Sequence, residues 1–436
     1  MPAGREGPMV HAGAIIASVA SRIPARWGGD FDFANDYDRR NFVSMGAAAG
    51  VAAAFNAPIG GTLFALEEVS SFWNPQLTMS TFCIVTIAAG TAGFWKSGMY
   101  GRFDPHGLVL CAEYDASGGG GSDGGGGSGS GDGSRLCLAD SSFAIWELLP
   151  FLALGVLGGL AGALFNGWNE RVTKFRKRMY RRYRLSPRFK VVEAVASIWL
   201  VLALFFWLPF AFGCRSIDDF APGLHVHKHD IYPVAWQCTG SNEYNEMATL
   251  LLQPTEGAIK QLFSRSSAGY LSLTTTFAFV LIYITATALI YGIAVPAGLF
   301  VPCMLMGGGM GRFLGQALHE ADVGSSVDPG LYALMGAAGM LGGVTRMTIS
   351  LSMIVVEVSG DINLLLPVMF VILVARLVGQ RFNESVRLRG TPRCRGTLST
   401  PGASTPERAA LQARLRPRGR EMWLRGPTNR NLPSWH

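Results

Sequence analysis

Long apolar stretches alternate with short polar or glycine-rich breaks over most of the chain. In the first hundred residues this pattern predicts helices over 10–21 and 41–55, separated by a polar aromatic loop over 27–40. Asn56-Ala57-Pro58 then breaks the chain, with Pro58 in the first turn of a helix over 58–72, where its missing N–H costs little. A span over 76–96 follows. Further along, spans are predicted over 144–168, 191–212, 271–292 and 364–380. Between them lie shorter helices over 247–252, 257–263, 303–318, 331–344 and 346–359. Several of these are too short to cross a bilayer alone. Short helices meeting end to end at membrane depth are what a transporter of broken helices needs.

The pattern also repeats itself. Gly4-Arg5-Glu6-Gly7-Pro8 has the same Gly-x-x-x-Pro spacing as Gly298-Leu299-Phe300-Val301-Pro302, and each precedes a small-residue helix. Met45-Gly46-Ala47-Ala48-Ala49-Gly50 is echoed by Met335-Gly336-Ala337-Ala338-Gly339-Met340, and Glu67-Glu68-Val69-Ser70 by Val356-Glu357-Val358-Ser359. The three pairs come in the same order, so the chain holds two related arms. Glycine-interrupted apolar segments at matching places in two repeats point to a binding site. The chemistry there starts with Glu6. A carboxylate among glycines at the head of a membrane-depth helix is expensive to keep and marks an ion or proton pathway. Free N–H groups at a helix start attract anions, so Glu6 can itself take an anion's place.

Composition agrees with a membrane protein. At 49% hydrophobic and 15% charged residues, the chain is too apolar for a soluble domain of its length. The formal charge of +7 does not call for nucleic acid, because much of the excess sits in a basic loop over 171–190 and in the tail. That loop is assigned to the cytosol by the positive-inside rule, which places the polar loop over 214–245 on the luminal side. The luminal loop holds Cys214 and Cys238, the one candidate disulfide, and His225, His227 and His229, read as solvated rather than metal-binding. A run of Gly, Ser and Asp over 118–133 reads as a disordered insert, since no phosphate-loop sequence accompanies it. No metal and no cofactor are called for.

At the two glycine motifs the chain resembles the CLC family of chloride channels and chloride/proton exchangers. GREGP over 4–8, GLFVP over 298–302 and GAAAGVAAAFNAPIGGTLFALEE over 46–68 carry the resemblance, which extends over about residues 1–386. Ser71-Phe72-Trp73-Asn74 and RMTISLSMIVVE over 346–357 are most similar to the intracellular exchangers of lysosomes and vacuoles. The resemblance implies an all-α polytopic membrane protein, built as an inverted repeat of broken and tilted helices and truncated at its N-terminus. It implies voltage-dependent chloride transport, chloride/proton antiport, a homodimer in an intracellular membrane, and chloride, protons and lipid as partners. Glu6 is the gating glutamate by this resemblance and Glu68 the proton glutamate; Glu67 and Glu357 are expected to be structural. The anion-binding set is Gly4, Arg5, Gly7, Pro8, Met9, Gly298, Leu299, Phe300, Val301 and Pro302.

The expected division is 1–98, a partial first repeat; 99–143, a Gly/Ser-rich luminal loop; 144–386, the second repeat; and 387–436, a disordered Arg/Pro-rich tail. The family's first helices are expected before Gly4. Arg387 stands where the family has a tyrosine, and the family's cytosolic CBS domains do not follow. A frameshifted or alternatively spliced end is the expected reason. Two other readings stay open: a chloride channel without proton coupling, and a fragment, silent when expressed alone, that assembles with or interferes with a full-length subunit. A membrane protease is disfavoured because no serine or histidine and aspartate constellation occurs at membrane depth; Ser350, Ser352 and His11 are the nearest to one.

Overall fold

The computed structural model describes residues 2–22, 35–70, 75–98, 145–183, 187–216, 233–240, 243–264, 269–293, 295, 297–321 and 327–382. By its contacts the chain divides into Met1–Leu388 and Arg389–His436, and all of the second part lies outside the described residues. So do the Gly/Ser/Asp run, Ser71–Asn74, the three luminal histidines and Arg387.

The described chain is helical, as expected. In order, the helices are α1 (Glu6–Ala20), α2 (Asp36–Phe55), α3 (Pro58–Phe64), α4 (Pro75–Gly98), α5 (Leu148–Tyr183), α6 (Pro187–Trp207), α7 (Glu246–Leu251), α8 (Thr255–Phe263), α9 (Leu273–Ile290), α10 (Phe300–Glu320), α11 (Pro329–Thr345), α12 (Ile349–Ser359) and α13 (Leu365–Phe382). Five stretches, covering α4, α5, α6, α9 and α13, are long and apolar enough to cross a bilayer, so this is a multi-pass membrane protein. Two three-residue strands escaped the sequence reading: β1 (Cys214–Ser216) and β2 (Glu243–Asn245) pair antiparallel beside the Cys214–Cys238 disulfide, whose Cα atoms lie 5.8 Å apart.

Several boundaries differ from the sequence pattern, and three of them have a clear local reason. Helix α2 starts at Asp36 because the Asn35 side chain accepts from Tyr37 N–H and Asp36 and Asp38 occupy the first turn, where acids suit the helix dipole. Helix α5 runs through most of the basic segment read as a loop. Its cations are accommodated there: Lys174 pairs with Glu170 one turn back, Arg176 bonds to Glu193 and to the carbonyls of Leu289 and Tyr291, and Arg181 and Arg182 lie in the last turn, where positive charge suits the helix dipole. Between α11 and α12 the break spans Arg346 to Thr348, because Arg346 caps α11 in the left-handed region at φ 67°.

The two arms share packing as well as sequence. In the first arm α1 crosses α2 where Gly13 meets Gly46; in the second α10 crosses α11 where Gly307 meets Gly336. These glycines correspond under the same offsets that relate the motifs (13 + 294 = 307; 46 + 290 = 336). Asn56, the left-handed cap of α2 at φ 54°, corresponds in the same way to Arg346 (56 + 290 = 346). Along α5, Gly155, Gly158, Gly159 and Gly162 form one face against α11 and α13. Close backbone approach gives the dispersion contact that joins helices where water does not drive them together. The largest buried cluster runs through α5, α8, α9, α10, α11, α12 and α13.

Candidate anion site

The two glycine motifs meet. Gly4 N–H donates to Gly298 C=O and Gly298 N–H to Gly4 C=O, both at 3.0 Å, as an isolated antiparallel bridge. Glycine is required at this approach: a Cβ on Gly7 would lie 2.9 Å from the Gly298 backbone, and one on Gly298 would collide with the Glu6 carboxylate. The bridge sets the starts of α1 and α10 against each other.

Each start is built alike. Arg5 C=O accepts from Met9 N–H at 3.1 Å, and its counterpart Leu299 C=O accepts from Cys303 N–H at 3.0 Å. Pro8 and Pro302 are the third residues of their helices, where a missing N–H is harmless. In α10 this leaves the amides of Phe300 and Val301, and both donate to Glu6 Oε1, at 2.7 and 3.2 Å. The Glu6 carboxylate therefore sits on the positive end of the opposite arm's helix, where an anion would bind. Glu6 is only 6% exposed, and its second oxygen, Oε2, is buried without a hydrogen-bond partner.

A cavity of about 410 Å³ opens beside it, lined among others by Arg5, Phe55, Asn56, Thr255, Glu256 and Met304. The ring of Phe55, which lines it, stands 4.8 Å from that of Phe300. Arg5 forms an ion pair with Glu256 at the start of α8. Of the expected anion set, Gly4, Gly298, Phe300 and Val301 converge on the Glu6 carboxylate through backbone, Gly7 packs on the Gly298 backbone, and Met9 and Leu299 complete the two helix starts.

Glu68 lies elsewhere, half-buried in a single π-helical turn, Ala65–Val69, that continues α3. Its neighbour Glu67 crosses to the other arm. Glu67 Oε1 accepts from the N–H and hydroxyl of Thr348 (2.7 and 2.9 Å), and Oε2 from the N–H and hydroxyl of Ser350 (3.0 and 2.6 Å). Glu357 does the converse, accepting from Ile59 N–H at 3.0 Å and Gly60 N–H at 2.7 Å at the start of α3. Three carboxylates thus cap helices of the opposite arm. Glu67 and Glu357 use both oxygens, whereas Glu6 uses one.

Sequence reasoning missed Arg312, fully buried on α10, which donates to the carbonyls of Leu262 and Ser264 at the end of α8, both at 2.8 Å. It also missed Glu246, which takes the N–H and hydroxyl of Ser272 (2.9 and 2.7 Å) at the head of α9 and an Arg215 nitrogen at 3.1 Å. A lone charge in an apolar run was the available signal for Arg312, whereas Glu246 follows the polar stretch over 241–245 and carried none.

The family model for the voltage gated chloride channel matches residues 1–380. The chain belongs to this family. Chloride channel protein CLC-d of Arabidopsis thaliana is 35% identical over 415 residues, covering 89% of this chain and 48% of that protein. The H(+)/Cl(-) exchange transporter 7 of Homo sapiens is 35% identical over 393 residues, covering 88% and 44%. The chain therefore spans about half the length of the relatives it matches. Among solved structures, a eukaryotic CLC transporter aligns with a TM-score of 0.54 at 24% identity over 88% of this chain and 52% of that one. A slow cyanobacterial Cl-/H+ antiporter aligns at 0.58 and 17% identity, over 89% and 71%. These two establish the CLC fold.

Proposed function

We propose that the protein exchanges chloride for protons across an intracellular membrane as a homodimer, with Glu6 as the gate and Glu68 as the proton carrier. The observation that carries this reading is the Glu6 carboxylate, held by one oxygen on the Phe300 and Val301 amides with the other oxygen buried and unbonded. Chloride is a large, weakly hydrated anion that a few amides and a helix end can hold without a full counter-charge. It can replace Glu6 on the same two donors. Protonating Glu6 removes the charge that holds it there, so arrival of a proton and entry of an anion become one event. Glu6 is held by one oxygen only, with the other unbonded, and this favours the role.

Glu68 is an acid at a position where channels of the resemblance carry a non-acidic residue, which favours exchange over conduction. The relatives named for H(+)/Cl(-) exchange support the same choice.

The test is the purified protein in proteoliposomes, with an imposed chloride gradient and a pH electrode outside. Chloride-driven proton movement, and a reversal potential that follows both ions, are expected. A reversal potential that follows chloride alone at every pH would leave the channel reading, and no flux of either ion would leave the silent-fragment reading.

A further inference from the structure

The contacts between the arms change which acids correspond. Glu67 and Glu357 cap each other's arms and are 290 residues apart, the same offset as Asn56 and Arg346. Beyond them Ser70 corresponds to Ser359, an offset of 289. One residue of the first arm has therefore no counterpart, and it falls between Glu67 and Val69. That residue is Glu68. The backbone shows the same insertion: Ala65–Val69 is a π turn closed by Ser70 N–H on Ala65 C=O at 2.9 Å, whereas α12 stays an ordinary helix throughout. Single π turns are insertions that a helix tolerates at a cost, and they concentrate at functional sites.

The two caps are also unequal. Glu357 meets Ile59 and Gly60, after a proline that offers no N–H, and makes two bonds. Glu67 meets Thr348 and Ser350, whose hydroxyls add two more, and Arg376 Nη1 lies 3.3 Å from the Thr348 hydroxyl oxygen. The stronger clasp sits next to the inserted acid.

We propose that Glu67 is a positioning residue for proton transfer: its four-bond clasp on Thr348 and Ser350 fixes the π turn and so the orientation of Glu68. This rests on Glu68 carrying the proton, and the experiment keeps the two ideas apart. In proteoliposomes Glu67→Gln places an amide NH₂ against a backbone N–H donor, so the clasp cannot form on both oxygens. Chloride flux should stay within about twofold while proton flux falls tenfold or more. Ser350→Ala, which removes one hydroxyl, should give an intermediate loss of coupling. Unchanged coupling in both variants, or an equal fall of both fluxes, would overturn the proposal, since a purely structural cap moves both ions together. If Glu67→Gln does not fold, Ser350→Ala decides alone. Proton flux surviving Glu68→Gln would instead remove the underlying reading. A measurement independent of transport uses Glu68→Cys in a background where Cys83, Cys111, Cys137, Cys303 and Cys394 are replaced by serine or alanine. Adding Ser350→Ala should change its rate of modification by an impermeant thiol reagent severalfold, and an unchanged rate would count against the clasp.

Discussion

The number of bonds and the oxygens that accept them separate three carboxylates that composition cannot tell apart. Glu67 holds four donors and Glu357 two, each on both oxygens, while Glu6 holds two amides on one oxygen. A charge-assisted bond contributes about 1.5–3 kcal/mol, so releasing Glu67 costs several bonds at once and releasing Glu6 far less. The incoming anion also takes over the same amides, which lowers the cost for Glu6 further. Glu6→Ala should therefore leave the Phe300 and Val301 amides open to chloride: anion flux persists and chloride-driven proton uptake disappears. Undiminished proton uptake in that variant would contradict the gate. Glu6 was legible in the sequence because a charge between glycines at the head of an apolar helix is too costly to keep at membrane depth unless ions or protons pass there. The clasp was not, since Glu67 and Thr348 lie 281 residues apart and no periodicity encodes a cap borrowed from the other arm.

At the scale of elements, glycine seams decide which helices touch. On α5 a Cβ at Gly158 would lie 2.5 Å from the carbonyl carbon of Gly339, and one at Gly162 would lie 2.5 Å from that of Gly343. Gly90 on α4 faces open space, with nothing within 4 Å of the same added atom. Replacing glycine by leucine gains up to about 1 kcal/mol of helix propensity wherever it is done. Overpacking a closed seam costs about 1–3 kcal/mol and outweighs that gain. Gly158→Leu should thus lower the unfolding temperature in detergent, and Gly90→Leu should leave it level or raise it; equal shifts would deny the seam. The helices and their order were readable from apolar runs and from the paired motifs. Their limits were less so. Helix α5 continues past residue 171 because Glu170, Glu193 and the end of α9 supply partners for its cations, and hydropathy sees only the charges. The π turn was hidden for a related reason: a one-residue insertion changes backbone phase without changing composition.

For the whole molecule, length and charge fix the orientation in the membrane. Helix α5 has 36 residues and so runs about 54 Å, against about 30 Å of hydrocarbon. Some four turns must project, and they are the turns that carry Lys174, Arg176, Lys177, Arg178, Arg181 and Arg182. Glu193, near the start of α6, and the last carbonyls of α9 bind Arg176, so those two helix ends share that face. The positive-inside rule assigns it to the cytosol. Helix α6 then returns across the bilayer to the Cys214–Cys238 disulfide, which belongs in an oxidising lumen. In sealed vesicles with the cytosolic face outward, an impermeant maleimide should label Arg178→Cys in a background lacking Cys83, Cys111, Cys137, Cys303 and Cys394. An impermeant phosphine added outside should leave the disulfide intact until detergent opens the vesicle. Labelling and reduction from the same side would break this topology.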